Sequence, residues 1–142
     1  MYSVDQILRT KGGDVYSVGP DEPILAALRK MADRDCGALA VMQGTRLVGI
    51  FSERDYARKV VLLGRSSADT PVSQVMSSPV TTVGRDATIN ECMELMSGRR
   101  IRHLPVADGE RVVGMVSIGD IVKALFDHQQ HQIEDLERFI RS

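Results

Sequence analysis

Residues 49–55 read Gly-Ile-Phe-Ser-Glu-Arg-Asp, and residues 114–120 read Gly-Met-Val-Ser-Ile-Gly-Asp. The glycine, two apolar residues, the serine and the aspartate recur 65 positions apart, and the same offset makes 14 of the 38 positions from Val18 to Asp55 identical. Ordinary residue usage gives roughly one match in sixteen by chance. The chain therefore contains a tandem duplication, and its unit has to be defined before its function is considered.

Composition limits the kinds of protein this chain can be. Its 142 residues allow one compact module. A half of 65 residues would be marginally stable alone, so we expect the two halves to share a core. Lys and Arg number 18 against 19 Asp and Glu, without a long basic run, so a nucleic-acid partner is not expected.

The cellular compartment is predicted from the absence of targeting, membrane-spanning and paired-cysteine patterns in the sequence. It shows no signal-peptide pattern and no apolar segment long enough to span a membrane. Cys36 and Cys92 lie at non-equivalent positions of the two repeats and outside any Cys-x-x-Cys pair, which favours free thiols. We therefore expect a soluble cytoplasmic protein without a membrane partner.

The repeated unit is predicted as β-α-β-β-α. A short β-branched run, Val15–Val18 in one copy and Val80–Val83 in the other, predicts the first strand, and apolar residues at helical spacing follow it. Two apolar runs joined across Gly44 or Gly109 predict a hairpin, after which the helical period returns. Used twice, the unit predicts an α/β (α+β) module with approximate two-fold symmetry and an additional C-terminal helix.

A lead-in segment is duplicated with a different offset. Residues 4–8 (Val-Asp-Gln-Ile-Leu) correspond to residues 72–76 (Val-Ser-Gln-Val-Met) at an offset of 68, so the first copy carries three extra residues around 9–13. Residues 64–71 are mostly small and polar and end in proline, as is typical of a linker. The predicted division is a first repeat with its lead-in at 1–64, a linker at 65–71, a second repeat at 72–126 and a C-terminal amphipathic helix at 127–142.

The C-terminal helix carries a short apolar stripe. Phe126, Ile133 and Ile140 are spaced by seven, and Leu136 lies between the last two, which resembles an a/d seam. Two heptads are weak evidence for a coiled coil. The stripe either packs on its own domain or forms a contact between two chains.

Each Ser-x-x-Asp motif, at Ser52–Asp55 and Ser117–Asp120, lies where a strand ends and a helix begins. A capping box explains the serine and the aspartate without a ligand. It does not explain the glycine three positions before the serine, where a missing side chain would let a ligand approach the backbone. A helix N-terminus suits an anion, and two carboxylate oxygens match two ribose hydroxyls. Both interpretations stay open at this point.

The tandem β-α-β-β-α unit, with this motif in both copies, resembles the cystathionine β-synthase (CBS) domain pair, or Bateman module. The resemblance runs from about Val4 to about Leu125. It implies a non-catalytic regulatory module that binds adenosine-containing ligands in clefts between the repeats, such as AMP, ADP, ATP, NAD(H) or S-adenosylmethionine. It also implies a homodimer and a separate, unidentified protein that the module regulates.

Carried over residue by residue, the resemblance implies a complete site headed by the second motif. Two basic residues at the start of the second strand would hold phosphate there, since a guanidinium matches phosphate geometry. A methionine would form a wall, and residues of the first repeat would surround the base. The implied set is Arg102, His103, Met115, Ser117 and Asp120 from the second repeat, with Tyr16 and Cys36 from the first.

The site headed by the first motif departs from the family pattern. Gly37 and Ala38 stand where the second repeat has its two basic residues, and neither can hold a phosphate. Either this site is empty, or it accepts an adenosine end whose phosphates are held from elsewhere, for instance by Lys11 of the inserted loop. The second outcome would suit a dinucleotide or a different ligand. The implied set is Ile50, Ser52, Asp55, Met76, Thr81, Ile101 and Lys11.

Two other functions remain as alternatives. An enzyme acting on a nucleotide is the weaker one, because the sequence shows no Ser-His-Asp or Cys-His set, no P-loop and no metal-ligand cluster. His128 and His131 lack a third ligand, so we expect no metal. The other alternative is a structural dimerisation module without a ligand. The preferred nucleotide, the occupancy of the two sites, the regulated partner and the dimer orientation are not determined by the sequence.

Overall fold

The computed structural model describes residues 2–141, with strands and helices in both repeats. In chain order the elements are α1 (Val4–Lys11), β1 (Ser17–Val18), α2 (Ile24–Arg34), β2 (Ala38–Gln43), β3 (Arg46–Ser52), α3 (Glu53–Asp55), a π-helical segment (Tyr56–Val61), a 3-10 turn (Val72–Gln74), α4 (Ile89–Arg99), β4 (His103–Asp108), β5 (Arg111–Ser117) and α5 (Ile118–Arg141). The α+β fold class predicted from the sequence is confirmed. Across residues 2–141, no helix combines the length and the apolar character that crossing a membrane requires.

The chain forms two compact units, which we name by the repeat that supplies most of their elements. The first-repeat unit is residues 14–81 together with residues 109–112. The second-repeat unit is formed, among the described residues, by residues 2–13, 82–108 and 113–141. Each unit has its own cluster of buried apolar side chains.

The first-repeat unit is built on a three-stranded sheet in the order β1-β2-β3. Strand β1 runs parallel to β2, with Ser17 opposite Ala40, and β2 pairs antiparallel with β3 through the predicted hairpin. Gly44 has a φ of +63° in that hairpin, a conformation that glycine adopts without strain. The core consists of Val18, Ile24, Ala27, Met31, Leu39, Val41, Phe51, Val60, Val72 and Val75.

The second-repeat unit has most of the equivalent hairpin, β4-β5, together with α4 and α5. Helix α4 begins with a capping box in which the Thr88 hydroxyl accepts from the Glu91 N–H at 3.1 Å. Apolar residues at helical spacing along α4 then face the core. The core consists of Val4, Ile7, Leu8, Val83, Ile89, Cys92, Met96, Leu104, Val106, Val116, Ile121 and Ala124.

The strand predicted at Val80–Val83 does not form, and this prediction was wrong. Only Val83 pairs, in a single parallel bridge to Val106. In the first repeat, β1 gains a further hydrogen bond because the Ala40 N–H donates to the Tyr16 carbonyl at 3.1 Å. Pro105 stands at the position of Ala40 and has no N–H to donate. The proline therefore removes the bond that would extend the strand towards Thr81.

The two lead-in segments pack on helices that belong to the opposite repeat. The Val4 N–H donates to the Ala87 carbonyl at 2.9 Å, just before α4. The Val72 N–H donates to the Glu22 carbonyl at 2.9 Å, just before α2. The division at 64 and 72 follows the order of the repeats along the chain, whereas the packing exchanges the lead-ins between the repeats.

The exchanged lead-ins explain the glycine that precedes each Ser-x-x-Asp motif. A Cβ placed on Gly114 would lie 2.7 Å from Leu8 Cδ2, and a Cβ placed on Gly49 would collide with the Met76 sulfur. Leu8 and Met76 are equivalent residues of the two lead-ins. The expectation that the missing side chain gives a ligand access to the backbone was therefore wrong, because a lead-in side chain occupies that space.

Helix α5 runs for 24 residues from the end of β5 to Arg141 without a break. Ser142, the last residue of the predicted C-terminal helix, lies outside the described residues. Its first turns are buried at Ile121 and Ala124, but its later apolar residues are not. Phe126, Ile133 and Ile140 are between 50% and 73% exposed. Of the two interpretations of the stripe, packing on its own domain is therefore wrong for the chain as described.

We predict that Gly114→Ala destabilises the protein by about 1–3 kcal/mol, because the added methyl overpacks the contact with Leu8. The matched control is Gly98→Ala in α4, where an added Cβ meets nothing within 4 Å and should stabilise the helix by about 0.5–1 kcal/mol. Urea unfolding of both variants measures the difference. Adding Leu8→Ala to Gly114→Ala should cost less than the two single changes together, and strict additivity would contradict the contact.

Candidate functional site

Both Ser-x-x-Asp motifs form reciprocal capping boxes at the N-terminus of a helix. The Asp55 N–H donates to Ser52 Oγ at 3.1 Å, and the Ser52 N–H donates to Asp55 Oδ2 at 3.0 Å. The Asp120 N–H donates to Ser117 Oγ at 3.2 Å, and the Ser117 N–H donates to Asp120 Oδ2 at 2.8 Å. The motif therefore has a structural role in both units whether or not a ligand binds.

The carboxylate of Asp55 is occupied by its own chain. Its Oδ2 accepts from the backbone N–H and the hydroxyl of Ser52, and its Oδ1 accepts from the Ser77 hydroxyl at 3.0 Å. Lys59 Nζ lies 3.2 Å from the same Oδ1. Only 9% of the Asp55 side chain is exposed. Both oxygens have donors already, so a ribose would have to displace one of them.

The carboxylate of Asp120 is more open. Lys11 Nζ at 2.7 Å and the Ser117 N–H both donate to its Oδ2, and the Ser117 hydroxyl also hydrogen-bonds to the carboxylate. The side chain is 24% exposed, against 9% for Asp55. Neither Lys11 nor the Ser117 N–H occupies Oδ1, so this oxygen can accept from an incoming hydroxyl donor.

Lys11 brings a cation to the second motif from the end of α1. Its ammonium donates to the Met115 carbonyl at 2.9 Å as well as to Asp120. It lies within the inserted segment that the second lead-in does not have. Lys11 was predicted at the first motif, and that prediction was wrong because its ammonium contacts the second motif.

The electrostatic balance at Asp120 favours its charged form. Burial raises the pKa of Asp120, but the hydrogen bond and charge of Lys11 and the hydrogen bonds from Ser117 lower it by more. The net result is a pKa below the ordinary carboxyl value. Asp120 is therefore an anion that accepts hydrogen bonds at neutral pH.

A backbone hydrogen bond fixes the two basic residues near the second motif. The Ile118 N–H, at the first position of α5, donates to the Arg102 carbonyl at 2.8 Å. The Arg102 side chain is exposed and that of His103 is half-buried. In the first-repeat unit the equivalent bond runs from the Glu53 N–H to the Gly37 carbonyl at 3.0 Å. The same backbone geometry therefore presents basic side chains in one unit and none at Gly37 in the other.

The remaining predicted residues are divided between the units. Tyr16 and Cys36 lie in the first-repeat unit, and Ile101 lies in the second-repeat unit. The Arg34 guanidinium lies 5.1 Å from the centroid of the Tyr16 ring, a cation–π contact that covers one face of the ring. Ile50, Met76 and Thr81 lie in the same unit as Asp55, whereas Ile101 and Lys11 of that predicted set do not. That residues of both units meet around one ligand stays a prediction.

Three contacts of the site were missed by the sequence analysis. Lys59 follows Asp55 by four residues on a helix, a spacing from which the ion pair could have been predicted. Ser77 and Lys11 reach their aspartates from segments 22 and 109 residues away, and no local pattern indicates such contacts.

His128, considered as a metal ligand and set aside, makes an edge contact with the Tyr2 ring, with 5.2 Å between the ring centroids. Within residues 2–141, no group of three or more His, Cys, Asp or Glu side chains is placed to hold a metal ion.

A protein-family model, a curated protein and a solved structure each match most of this chain. The CBS domain family model matches residues 4–62 and 72–127. The mitochondrial CBS domain-containing protein CBSX3 of Arabidopsis thaliana is 32% identical over 148 residues, covering 98% of this chain and 72% of that protein. A crystal structure named as a signal-transduction protein with CBS domains, from Burkholderia ambifaria, is 44% identical with a TM-score of 0.86, covering 89% of this chain and 96% of that one.

A more distant structure contains ligands. The CBS domain pair of protein MJ0100, solved in complex with 5′-methylthioadenosine and S-adenosyl-L-methionine, is 24% identical with a TM-score of 0.79. It covers 91% of this chain and 98% of that one. At this identity the likeness concerns the fold.

We predict that the ionised Asp120 stabilises the fold in a pH-dependent way. Its pKa is lower in the folded than in the unfolded chain, so its contribution is present above about pH 4 and is lost as the pH falls through the folded-state pKa. The deficit in unfolding free energy of Asp120→Asn relative to the parent should therefore be largest near neutral pH and shrink on acidification. Urea unfolding across a pH series measures it.

Lys11→Met provides the complementary test. Removing the ammonium should raise the pKa of Asp120, which a carboxylate NMR titration follows directly. Lys59→Met, which removes the cation beside Asp55, is the control and should leave Asp120 unaffected. An unchanged Asp120 titration in Lys11→Met would contradict the assigned contact.

Proposed function

Because the chain belongs to the CBS domain family, we propose that it is a non-catalytic regulatory module that binds an adenosine-containing nucleotide at the Ser117–Asp120 motif. The ligand would be AMP, ADP or ATP, with NAD(H) or S-adenosylmethionine as further candidates. The bound nucleotide would modulate a separate partner protein. The contrast between the two aspartates is the observation that carries this proposal.

The two motifs have the same backbone arrangement, but their aspartates differ in how readily they could accept hydrogen bonds from a ribose. Asp120 is 24% exposed and has an oxygen, Oδ1, that neither Lys11 nor the Ser117 N–H occupies, whereas Asp55 is 9% exposed with donors on both oxygens. A ribose diol can donate to the first without displacing an internal donor. We therefore propose one nucleotide per chain, at the second motif.

Phosphate recognition follows from the cations near the second motif. Lys11 contacts Asp120 directly, and Arg102 is joined through its backbone to the first residue of α5. The N-terminus of that helix adds a positive dipole end. Together these groups favour a ligand that carries both a ribose and at least one phosphate. Tyr16 and Cys36 remain the proposed surroundings of the base.

In this proposal the nucleotide regulates because it binds one arrangement of the protein more tightly than another. A ligand shifts a protein between two arrangements only as far as it binds one more tightly than the other. The family to which the chain belongs is typically regulatory. The MJ0100 pair shows that this fold can hold adenosine derivatives, which supports the ligand class proposed here.

A ligand-free structural module is the second candidate, and two observations favour it. Both serine–aspartate pairs act as capping boxes, and both motif glycines are covered by Leu8 or Met76. These features account for much of the motif without a nucleotide. The two candidates differ in what a nucleotide does to thermal stability.

The experiment is a thermal unfolding series of nucleotide-free protein with AMP, ADP, ATP, NAD, NADH and S-adenosylmethionine. A ligand at a hundred times its dissociation constant adds about 2.7 kcal/mol of stability, a shift of several degrees for a chain of this size. We expect such a rise with at least one of them. No rise with any of the six would favour the structural module.

Calorimetric titration of variants then tests the site. Asp120→Ala and Arg102→Ala should each weaken binding, and Arg102→Ala should lose more affinity for AMP than for adenosine, since it removes a phosphate contact. Asp55→Ala is the matched control and should leave the affinity unchanged, with a stoichiometry of one ligand per chain. Equal affinity in Asp120→Ala and Asp55→Ala would contradict the assignment.

A further inference from the structure

From Val122 to Ile140, α5 has an apolar face that the described part of its chain leaves exposed. Phe126 is 65% exposed, Leu136 59% and Ile140 73%, whereas Ile121 and Ala124 of the same helix are buried. Val122, also in α5, is 57% exposed. Large apolar side chains this close together on one helix are a typical feature of an interaction surface.

The spacing of this face is that of a helix-pairing seam. Positions 122, 126, 129, 133, 136 and 140 alternate steps of four and three, and all but Gln129 are apolar. This is the a/d pattern of a coiled coil, in which side chains of one helix pack into holes of another. The seam extends back to Val122, one step further than the sequence analysis recognised. From Val122 to Ile140 it spans about 27 Å of helix.

The pattern is self-complementary when two copies run in opposite directions. With the symmetry axis level with His131, Val122 of one helix lies opposite Ile140 of the other, and Phe126 lies opposite Leu136. Each pairing occurs twice because of the two-fold symmetry. Phe139, which is 79% exposed and lies beside the seam, then falls next to Leu125 of the second helix.

Charge complementarity supports the same direction. The antiparallel arrangement brings Lys123 of one helix beside Glu137 of the other, again twice, at positions that flank the seam. In a parallel pair these two residues are two heptads apart, and no opposite charges meet across the flanks. We propose that α5 pairs antiparallel with α5 of a second copy of this chain, with Phe126 packed against Leu136 and Lys123 beside Glu137.

Zero-length crosslinking tests the register directly. A carbodiimide joins a lysine amine to a carboxylate only when the two are in contact. Within one helix Lys123 and Glu137 are about 21 Å apart, so a link between them must join two chains. We expect this crosslinked pair by mass spectrometry of the digested full chain. Lys123→Arg, which keeps the charge but removes the reactive amine, should lose the link and keep the dimer.

Sedimentation equilibrium of matched variants tests the seam. Leu136→Asp should weaken self-association by on the order of tenfold or more and abolish the crosslink, because it buries a carboxylate in an apolar layer. The control is Leu62→Asp, at a residue of the first-repeat unit that is 76% exposed, which should change neither. A dimer and a crosslink as strong in Leu136→Asp as in Leu62→Asp would overturn the proposal.

A charge exchange distinguishes the two directions. Lys123→Glu and Glu137→Lys should each weaken association, and the double variant should recover most of the affinity of the parent. A double variant as weak as the single variants overturns the antiparallel register. A monomeric parent, or a dimeric parent without the Lys123–Glu137 crosslink, overturns the proposal as a whole.

Discussion

The contact between a lead-in side chain and a motif glycine is the constraint on which both units depend. Leu8 lies over Gly114 and Met76 over Gly49, at equivalent positions of two segments that differ in sequence. Each contact joins a lead-in to the strand that ends in the Ser-x-x-Asp motif. The strand, the capping box and the helix that follows are therefore held in place by a segment that comes from the other side of the repeat boundary.

This exchange of lead-ins explains why the two repeats would be retained together in one chain. A repeat cut out at its sequence boundaries would lack the lead-in that fills the space above its own glycine. The buried Val4 and Val72 would be lost from the cores to which they contribute. Burying such a side chain contributes about 1.5–3 kcal/mol, a large share of the stability of a unit of this size. Each half therefore depends on the other for its stability.

The two units have diverged at a few positions with large local effects. Proline at position 105, in place of alanine at 40, removes one backbone donor and reduces a strand to a single bridge. Arginine at 102, in place of glycine at 37, leaves the backbone bond to the next helix intact and changes only the side chain presented there. Helix α5 runs for 24 residues, whereas its counterpart in the first repeat ends in a π-helical segment at Val61. The two units thus share a backbone arrangement around their motifs but present different side chains there.

The sequence by itself determined the repeat, the order of strands and helices except for the strand expected at Val80–Val83, both hairpins and the identity of the two motifs. These features depend on residues close together in the chain, whose periodicity and turn chemistry act locally. Even the contrast between Gly37 and Arg102 could be found by aligning the repeats.

Only the tertiary structure decided what contacts the motifs. Lys11 reaches Asp120 across 109 residues and Ser77 reaches Asp55 across 22, while the lead-ins cover the glycines of the opposite repeat. Such contacts have no periodic signature, because they depend on which surfaces meet when the chain folds back. The same holds for the exposure of the α5 stripe. An apolar seam in a sequence is compatible with burial or with exposure, and packing alone selects one.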